Sequence, residues 1–219
     1  MNYDKFYKRF APFFKWLYRL EVVGAENIPE GGVVIAPNHT AFSDVILVGA
    51  AAGGRQIHFM AKKELFKTPI APLIKALGAY PVDRGNADVT SIRKTLALIE
   101  EGEAAGIFPQ GTRRGGVDPR TTEPKNGVGM IAFRSKAPVV PVMIENSRMK
   151  TGIFRKNRVT FGKPITYDEL GFTDGGKQEY ENATKIIFSH ICDLRETNAL
   201  PSAAEKPALT APADEDSAE

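Results

Sequence analysis

Short apolar segments alternate with segments of helical periodicity along most of the chain. Apolar runs that follow turn residues predict strands, and apolar residues that recur every three or four positions predict helices. The predicted strands cover 33–36, 57–60, 79–82, 106–108, 138–144 and 158–161. The predicted helices cover 43–50, 64–77 (interrupted by Pro69 and Pro72), 88–101 and 179–195. This alternation predicts an α/β domain in which helices flank a mainly parallel or mixed sheet.

The first twenty residues have a different pattern, in which aromatic residues dominate. They hold eight of the twenty aromatic residues of the chain, mostly at helical spacing, with most of the Lys and Arg on the other face. Pro12 predicts a kink or the start of a second helix, because proline lacks an N–H donor. The aromatic face fits two interpretations. In the first, it packs on the core of the domain itself. In the second, it lies in a membrane interface with the cations of the segment near anionic lipid.

Composition and charge divide the chain into three parts. The 219 residues are 42% hydrophobic and carry a net charge of +3, which is too mild for a dedicated nucleic-acid-binding protein. By position the charge is +4 over 1–20, +3 over 21–198 and −4 over 199–219. The last part is rich in Ala, Pro and acids and is predicted to be disordered. The sequence thus predicts an amphipathic segment at 1–20, a folded domain at 21–198 and an acidic tail at 199–219.

Cysteine content and hydropathy bear on the compartment. The single Cys192 excludes an intramolecular disulfide and fits a reducing environment. The longest uncharged apolar run, 45–53, is less than half of the ~20 residues needed to span a bilayer. These features predict a soluble or peripheral protein in the cytoplasm.

Candidate chemistry lies in the loops that follow the predicted strands, where active sites of parallel sheets are found. After the first predicted strand, His39 and Asp44 are five positions apart and can meet if the loop curls back. The carboxylate would then orient one ring nitrogen, while the other takes a proton from a hydroxyl. The spacing is weak evidence by itself, because Asp44 is also a candidate helix cap. A metal site is less favoured, since no other His or Cys lies nearby.

Two further loops each place an arginine beside glycine at the end of a strand. Arg84 follows the strand at 79–82, and Arg113 lies in the segment 108–116. The planar guanidinium group suits a phosphate, and glycine lets backbone N–H groups approach an anion. Each loop alone also fits a surface turn with a solvated arginine.

Taken in order, these segments resemble the family of 1-acylglycerol-3-phosphate acyltransferases. The family hallmark N-H-x-x-x-x-D is present as Asn38, His39 and Asp44. Three further blocks follow in the order of the family: a block that ends in Asp83-Arg84, F-P-Q-G-T-R at 108–113, and a V-P-V block at 140–142. The stretch 62–66 also resembles the family. The resemblance covers about 22–144 and implies a fold like that of glycerol-3-phosphate acyltransferase.

The resemblance also implies roles for individual residues. His39 is expected to act as general base and Asp44 to orient it. The residues expected to bind substrate are Asn38, Arg84, Gln110, Gly111, Thr112 and Arg113. No metal and no cofactor are expected, with acyl-CoA or acyl carrier protein supplying the acyl group as co-substrate.

Gln110 departs from the family pattern, which usually has Glu at this position. Glutamine keeps the size and one carbonyl acceptor but loses the charge and gains N–H donors. It therefore cannot accept a proton, whereas a role in hydrogen bonding or in ordering the loop remains open.

The resemblance implies transfer of an acyl group from a thioester to the free hydroxyl of 1-acylglycerol 3-phosphate. The expected partners are a lysophospholipid, an acyl carrier protein or coenzyme A thioester, and a membrane surface contacted through 1–20. No nucleic acid is expected. The expected location is the cytoplasmic face of the cell membrane, with peripheral attachment. Two alternatives remain, namely another lysophospholipid or lyso-lipid acceptor and a catalytically inactive lipid-binding relative.

Overall fold

A seven-stranded mixed sheet organises the part of the chain that the computed structural model describes, residues 3–82 and 89–198. The strands lie in the order β1-β7-β6-β2-β5-β3-β4, and every neighbouring pair is parallel except β6 and β7. Their bounds are β1 Leu20–Val23, β2 Val33–Pro37, β3 Ile57–Lys62, β4 Tyr80–Val82, β5 Ala104–Gly106, β6 Val139–Glu145 and β7 Asn157–Phe161. The predicted α/β class with a mixed sheet is confirmed.

Six α-helices accompany the sheet within the described residues. Their bounds are α1 Tyr3–Leu17, α2 Asp44–Ala51, α3 Ala71–Ala76, α4 Val89–Glu100, α5 Gly127–Ser135 and α6 Lys177–Asn198. Short 3₁₀ turns lie at Ala25–Asn27, Lys63–Lys67, Pro119–Thr121 and Asp168–Leu170. None of these helices is long and apolar enough to cross a bilayer.

The two faces of the sheet are covered by different helices, because successive side chains of a strand point to opposite sides. Val33 and Ile35 of β2 pack with α2, whereas Val34 and Ala36 pack with α5 and α6. Both clusters are continuous and buried, so the central strand β2 is covered on each side. This explains its uninterrupted apolar sequence.

The structure contains two elements, β1 and α5, that the sequence did not predict. The edge strand β1 is too short and mixed to give a period, and it gains its position by pairing in parallel with β7. Helix α5 begins at Gly127 and contains Gly129, residues that disfavour a helix by propensity. A Cβ atom at Gly129 would lie 2.2 Å from the carbonyl oxygen of Tyr180 in α6. Glycine is therefore needed there for the close approach of two helices.

Other boundaries also shift. The strand predicted at 106–108 is β5, which ends at Gly106 and leaves Phe108 in the following loop. The helix predicted at 64–77 is a 3₁₀ turn followed by the short α3. Of the two alternatives predicted for Pro12, the start of a second helix is wrong, since α1 runs through that residue. The predicted disorder of 199–219 lies outside the described residues.

Helix α1 divides its apolar side chains between two environments. Tyr3 and Tyr7 donate hydroxyl hydrogen bonds to the carbonyl oxygens of Arg55 and Ala50, both at 3.3 Å, and Ala11 is buried. A second set is exposed, namely Phe10 (41%), Phe13 (50%) and Trp16 (66%). The interpretation that the aromatic face packs on the domain itself therefore holds for the first set only.

Candidate active site

A histidine and a buried aspartate meet at the carboxyl end of β2. His39 follows the strand, Asp44 is the first residue of α2, and His39 Nδ1 lies 2.9 Å from Asp44 Oδ2. Asp44 is fully buried, whereas 13% of the His39 side chain is exposed. Because the carboxylate accepts a hydrogen bond from Nδ1–H, the free electron pair of the neutral ring lies on Nε2. The pair can therefore take a proton from a hydroxyl group.

The buried Asp44 carboxylate is surrounded by hydrogen-bond donors. Oδ2 accepts from the backbone N–H groups of Thr40 and Ala41, the latter at 2.8 Å. Oδ1 accepts from the hydroxyl groups of Thr40 and Thr151, both at 3.0 Å. These bonds offset the free energy lost by burying a charge. The alternative that Asp44 caps the helix is wrong, because Ser43 is the N-cap and the backbone donors precede α2.

Thr151 is a member of this cluster that the sequence analysis missed. It lies in the loop between β6 and β7, and its hydroxyl also lies 2.8 Å from that of Ser43. A carboxylate only accepts, so Thr151 donates its proton to Asp44 and accepts from Ser43. No local pattern links Thr151 to Asp44 across 107 positions, so only the fold shows the contact.

Asn38 fixes the point at which the chain leaves β2. Its side-chain Nδ2 donates to the carbonyl of Ile144 at 2.9 Å, and its Oδ1 accepts from the Ile144 N–H at 2.6 Å. The side chain is buried and continues the pairing between β2 and β6. The amide oxygen and the amide nitrogen of Asn38 are therefore both hydrogen-bonded to the backbone of Ile144. The geometry therefore favours a positioning role, and the predicted contact with substrate stays a prediction.

Gln110 connects the histidine loop to the loop after β5. Its Oε1 accepts from the His39 backbone N–H at 2.7 Å, and its Nε2 donates to Thr122 Oγ1 at 2.8 Å. The Thr122 hydroxyl in turn donates to the carbonyl of Pro119 at 2.7 Å. The buried amide thus orders both loops, which is the hydrogen-bonding role that sequence reasoning left open.

The loop after β5 lies directly against the histidine. The rings of His39 and Phe108 stack with centroids 3.9 Å apart, and the Arg114 N–H donates to the His39 carbonyl at 2.7 Å. Gly111 has a φ of 64°, which suits glycine, and the stem of Lys125 lies against it. A cavity of about 190 Å³ opens here, lined by His39, Met60, Val82, Gly106, Ile107, Phe108 and Gly111.

The remaining predicted site residues lie at the rim of this cavity or outside the residues that the structure describes. Thr112 and Arg113 are exposed in the loop that passes the cavity. Arg84 lies outside the described residues, just beyond Val82, which lines the cavity. A larger cleft of about 510 Å³ lies at the amino end of β2, lined in part by Gly32 and Arg134. It is far from His39 and holds none of the predicted residues.

A family model described as acyltransferase matches residues 19–145, from β1 through β6. The chain belongs to the acyltransferase family. The resemblance noted from its motifs is thus confirmed.

Individual relatives of this acyltransferase span most of its length. The 1-acyl-sn-glycerol-3-phosphate acyltransferase of Bacillus subtilis is 39% identical over 179 residues, which cover 80% of this chain and 87% of the relative. The protein of the same name from Borreliella burgdorferi is 28% identical, with coverage of 83% and 74%. The crystal structure of a 1-acyl-sn-glycerophosphate acyltransferase from Thermotoga maritima matches with a TM-score of 0.67 at 24% identity. That match covers 91% of this chain and 80% of the other, and it shows that the fold is shared.

Proposed function

We propose that this acyltransferase moves a fatty acyl group from an acyl thioester to the free hydroxyl of 1-acylglycerol 3-phosphate, which gives phosphatidic acid. The observation that carries the proposal is the His39–Asp44 pair beside an open cavity at the ends of the strands. The names of the relatives supply the acceptor, since the proteins from Bacillus subtilis and Borreliella burgdorferi are both named for 1-acylglycerol 3-phosphate.

In the proposed reaction the acceptor hydroxyl attacks the carbonyl carbon of the thioester. His39 Nε2 takes the hydroxyl proton as the new C–O bond forms, a role worth roughly 10²–10⁴-fold in rate. The tetrahedral intermediate then releases the thiol by breaking the C–S bond, and the imidazolium returns the proton to the sulfur. Asp44 holds the ring orientation and stabilises its charged form through the 2.9 Å contact.

The acceptor phosphate is assigned to the exposed cations near the cavity. Arg113 follows Gly111 and Thr112, so its guanidinium group can reach an anion at the rim. The charged end of Lys125, whose stem covers Gly111, adds positive charge on the same side. Arg84 is proposed as the second arginine. The neutral Gln110 beside them avoids repulsion of the phosphate.

An apolar cleft next to the cavity suits an acyl chain. Met60 lines both spaces, and the cleft is bounded by Phe42, Ile46, Phe59, Leu65, Leu73 and Leu77. Burial of methylene groups against such a lining is favourable by about 0.8 kcal/mol each. The cleft therefore supports a lipid substrate over a small polar one. The acyl donor is proposed to be either acyl-CoA or acyl carrier protein.

Attachment to the cytoplasmic membrane surface belongs to the same proposal. The exposed Phe13 and Trp16 of α1 lie beside Arg9 and the other cations of the helix. Aromatic residues next to cations favour the interface of an anionic bilayer. A membrane-bound acceptor would then reach the enzyme without leaving the lipid phase.

The test measures thioester loss with purified protein, lysophosphatidic acid and either acyl-CoA or acyl carrier protein. His39→Ala should abolish turnover while circular dichroism shows an intact fold. Wild-type turnover in that variant would contradict the mechanism. Binding of lysophosphatidic acid without turnover by the wild type would instead favour the inactive lipid-binding alternative. Turnover only with other lysophospholipids would correct the acceptor.

Arg113→Ala tests the phosphate assignment, with Arg134→Ala as the matched control. Arg134 is also exposed, but it lines the cleft at the amino end of the strands. Loss of Arg113 should chiefly raise KM for the phosphorylated acceptor, whereas the control should match wild type. A loss confined to kcat at saturating acceptor would contradict the assignment.

A further inference from the structure

The loop between β6 and β7, residues 146–156, holds two adjacent large apolar side chains in solvent. Ile153 is 52% exposed and Phe154 is 61% exposed. Single exposed apolar residues are common, but a contiguous exposed patch marks a contact with a partner or a membrane. Their exposure therefore indicates that a partner or a membrane covers this part of the loop.

The exposed side chains are part of an ordered loop. Two buried asparagines hold it: Asn157 Nδ2 donates to the carbonyls of Gly152 at 2.9 Å and Arg155 at 2.8 Å, and Asn146 Nδ2 donates to that of Lys150 at 2.6 Å. Phe154 has a φ of 56°, which is unfavourable for a bulky residue. The fold thus holds the phenyl ring outward against a backbone preference, a pattern found at functional positions.

The loop extends the exposed aromatic surface of α1. The Phe154 ring contacts Trp16 edge to face, with centroids 6.0 Å apart. The backbone N–H of Phe154 donates to the Leu17 carbonyl at 2.7 Å. Trp16 continues to Phe13 at 6.3 Å. Phe13, Trp16 and Phe154 therefore form one continuous row of exposed rings from two distant segments of the chain. These three residues and the exposed Ile153, which precedes Phe154, are here called the docking surface.

The charges around the docking surface favour an anionic bilayer as its occupant. Residues 147–156 include four cations, Arg148, Lys150, Arg155 and Lys156, and no acidic residue. Lys156 forms an ion pair with Glu21 at 3.0 Å, which leaves Arg148, Lys150 and Arg155 as the net positive charge of this segment. Helix α1 adds four cations against one acidic residue, Asp4; the cations are Lys5, Lys8, Arg9 and Lys15. Aromatic side chains surrounded by cations fit the headgroup region of anionic lipid. A second copy of the same surface would bring like charges together.

The loop also reaches the catalytic pair. Thr151, two residues before Ile153, donates its hydroxyl proton to Asp44 at 3.0 Å. The segment that carries half of the docking surface therefore also holds the carboxylate of the site. Contact with lipid at this loop would place the membrane beside the residues that use a membrane-borne substrate.

We infer that Ile153 and Phe154 insert into the interface of an anionic bilayer together with Phe13 and Trp16. The inference rests on the proposed membrane attachment through α1 and adds a second, distant segment to it. Attachment through two segments fixes the orientation of the protein on the membrane, whereas a single helix does not.

The first test is sedimentation with vesicles of phosphatidylglycerol and phosphatidylcholine. The variant Ile153→Ser with Phe154→Asn removes the apolar area, and asparagine tolerates the left-handed backbone at 154. Partition onto vesicles should fall about tenfold, the effect of withdrawing part of two large apolar side chains from lipid. Val89→Asn is the control, because Val89 is 54% exposed but begins α4 on the other face of the sheet.

The second test uses the only tryptophan of the chain as a probe. In wild type Trp16 reports insertion of α1, and the variant Trp16→Phe with Phe154→Trp moves the probe to the loop. Emission from position 154 should shift to the blue and be quenched by brominated lipid. Circular dichroism confirms that each variant is folded.

The outcomes separate the inference from the proposal beneath it. Quenching at Trp16 but not at position 154, with unchanged partition of the loop variant, would overturn the inference and leave attachment through α1 intact. No quenching at either position would refute membrane attachment itself. Loss of self-association in the loop variant, without a change in lipid binding, would identify a second copy as the occupant and also overturn the inference.

Discussion

Replacing Thr151 with valine should slow the reaction while leaving substrate affinity nearly unchanged. Valine has nearly the shape of threonine, so the change removes the hydroxyl without creating a cavity. The change removes the 3.0 Å hydrogen bond to the fully buried Asp44 and also the 2.8 Å hydrogen bond from the Ser43 hydroxyl. A hydrogen bond to a charged group contributes about 1.5–3 kcal/mol. The four remaining donors to Asp44, including His39, limit the loss to the low end of that range.

The loss is expected to affect both folding and turnover. Oδ1 of Asp44 would keep only the Thr40 hydroxyl, while Oδ2 keeps its bonds to His39, Thr40 and Ala41. The carboxylate would therefore be held less firmly and would orient the His39 ring less strictly. A fall of about tenfold in kcat corresponds to about 1.4 kcal/mol. KM for the acceptor should stay within about twofold, because Thr151 does not line the cavity at His39.

Steady-state assays with lysophosphatidic acid and an acyl thioester separate kcat from KM, and urea unfolding gives the stability change. Thr151→Ser keeps the hydroxyl and should restore most of kcat. If Thr151→Val lowered the free energy of unfolding but left kcat unchanged, the hydroxyl would only stabilise the fold. The reasoning about the position of Asp44 would then be refuted.

Two other changes test the loop after β5. Gln110→Leu leaves the His39 N–H without its acceptor, so the free energy of unfolding should fall by about 1–3 kcal/mol and kcat/KM should drop, whereas Gln110→Glu should keep kcat/KM within about tenfold. The hydrogen bond from Arg120, together with the nearby charge of Arg195, lowers the pKa of Asp118 to about 2. Because this pKa lies below that of the unfolded chain, the stabilisation is complete above pH 4 and is lost as pH falls from about 4 to 2. Asp118→Asn should therefore cost about 1 kcal/mol in urea unfolding at pH 7, reduced by solvent screening, and almost nothing near pH 2. An equal difference at both pH values would contradict this account.

The sequence predicts those strands that are buried on both faces, because such strands consist of a continuous run of apolar residues. Strands β2 and β6 are both fully buried, and their apolar segments identify them. Strand β1 lacks this signal because it lies at the edge, where pairing with β7 and not its own composition determines its structure. Helix α5 contradicts local propensity, because the need for contact with α6 outweighs the free-energy cost of Gly129.

The site could be predicted where its residues are close in sequence. His39 and Asp44 are five positions apart, at the two ends of one loop, so their spacing predicts that they can meet. Thr151 and Thr122 complete their environment from loops after other strands, and a hydroxyl carries no distinctive signal in a sequence. Their positions follow from how β6 and β5 are arranged around β2, which only the complete topology determines.

The departure at Gln110 illustrates how hydrogen-bond direction constrains a role. The His39 N–H can only donate, so the carbonyl oxygen of the amide faces it and the amide nitrogen faces Thr122. Thr122 then has its proton free for Pro119. A glutamate would still accept from His39, but Thr122 would have to turn its proton from Pro119 to the carboxylate. The amide therefore satisfies three groups without adding negative charge near a bound phosphate, and a loop-ordering role needs no proton acceptor at this position.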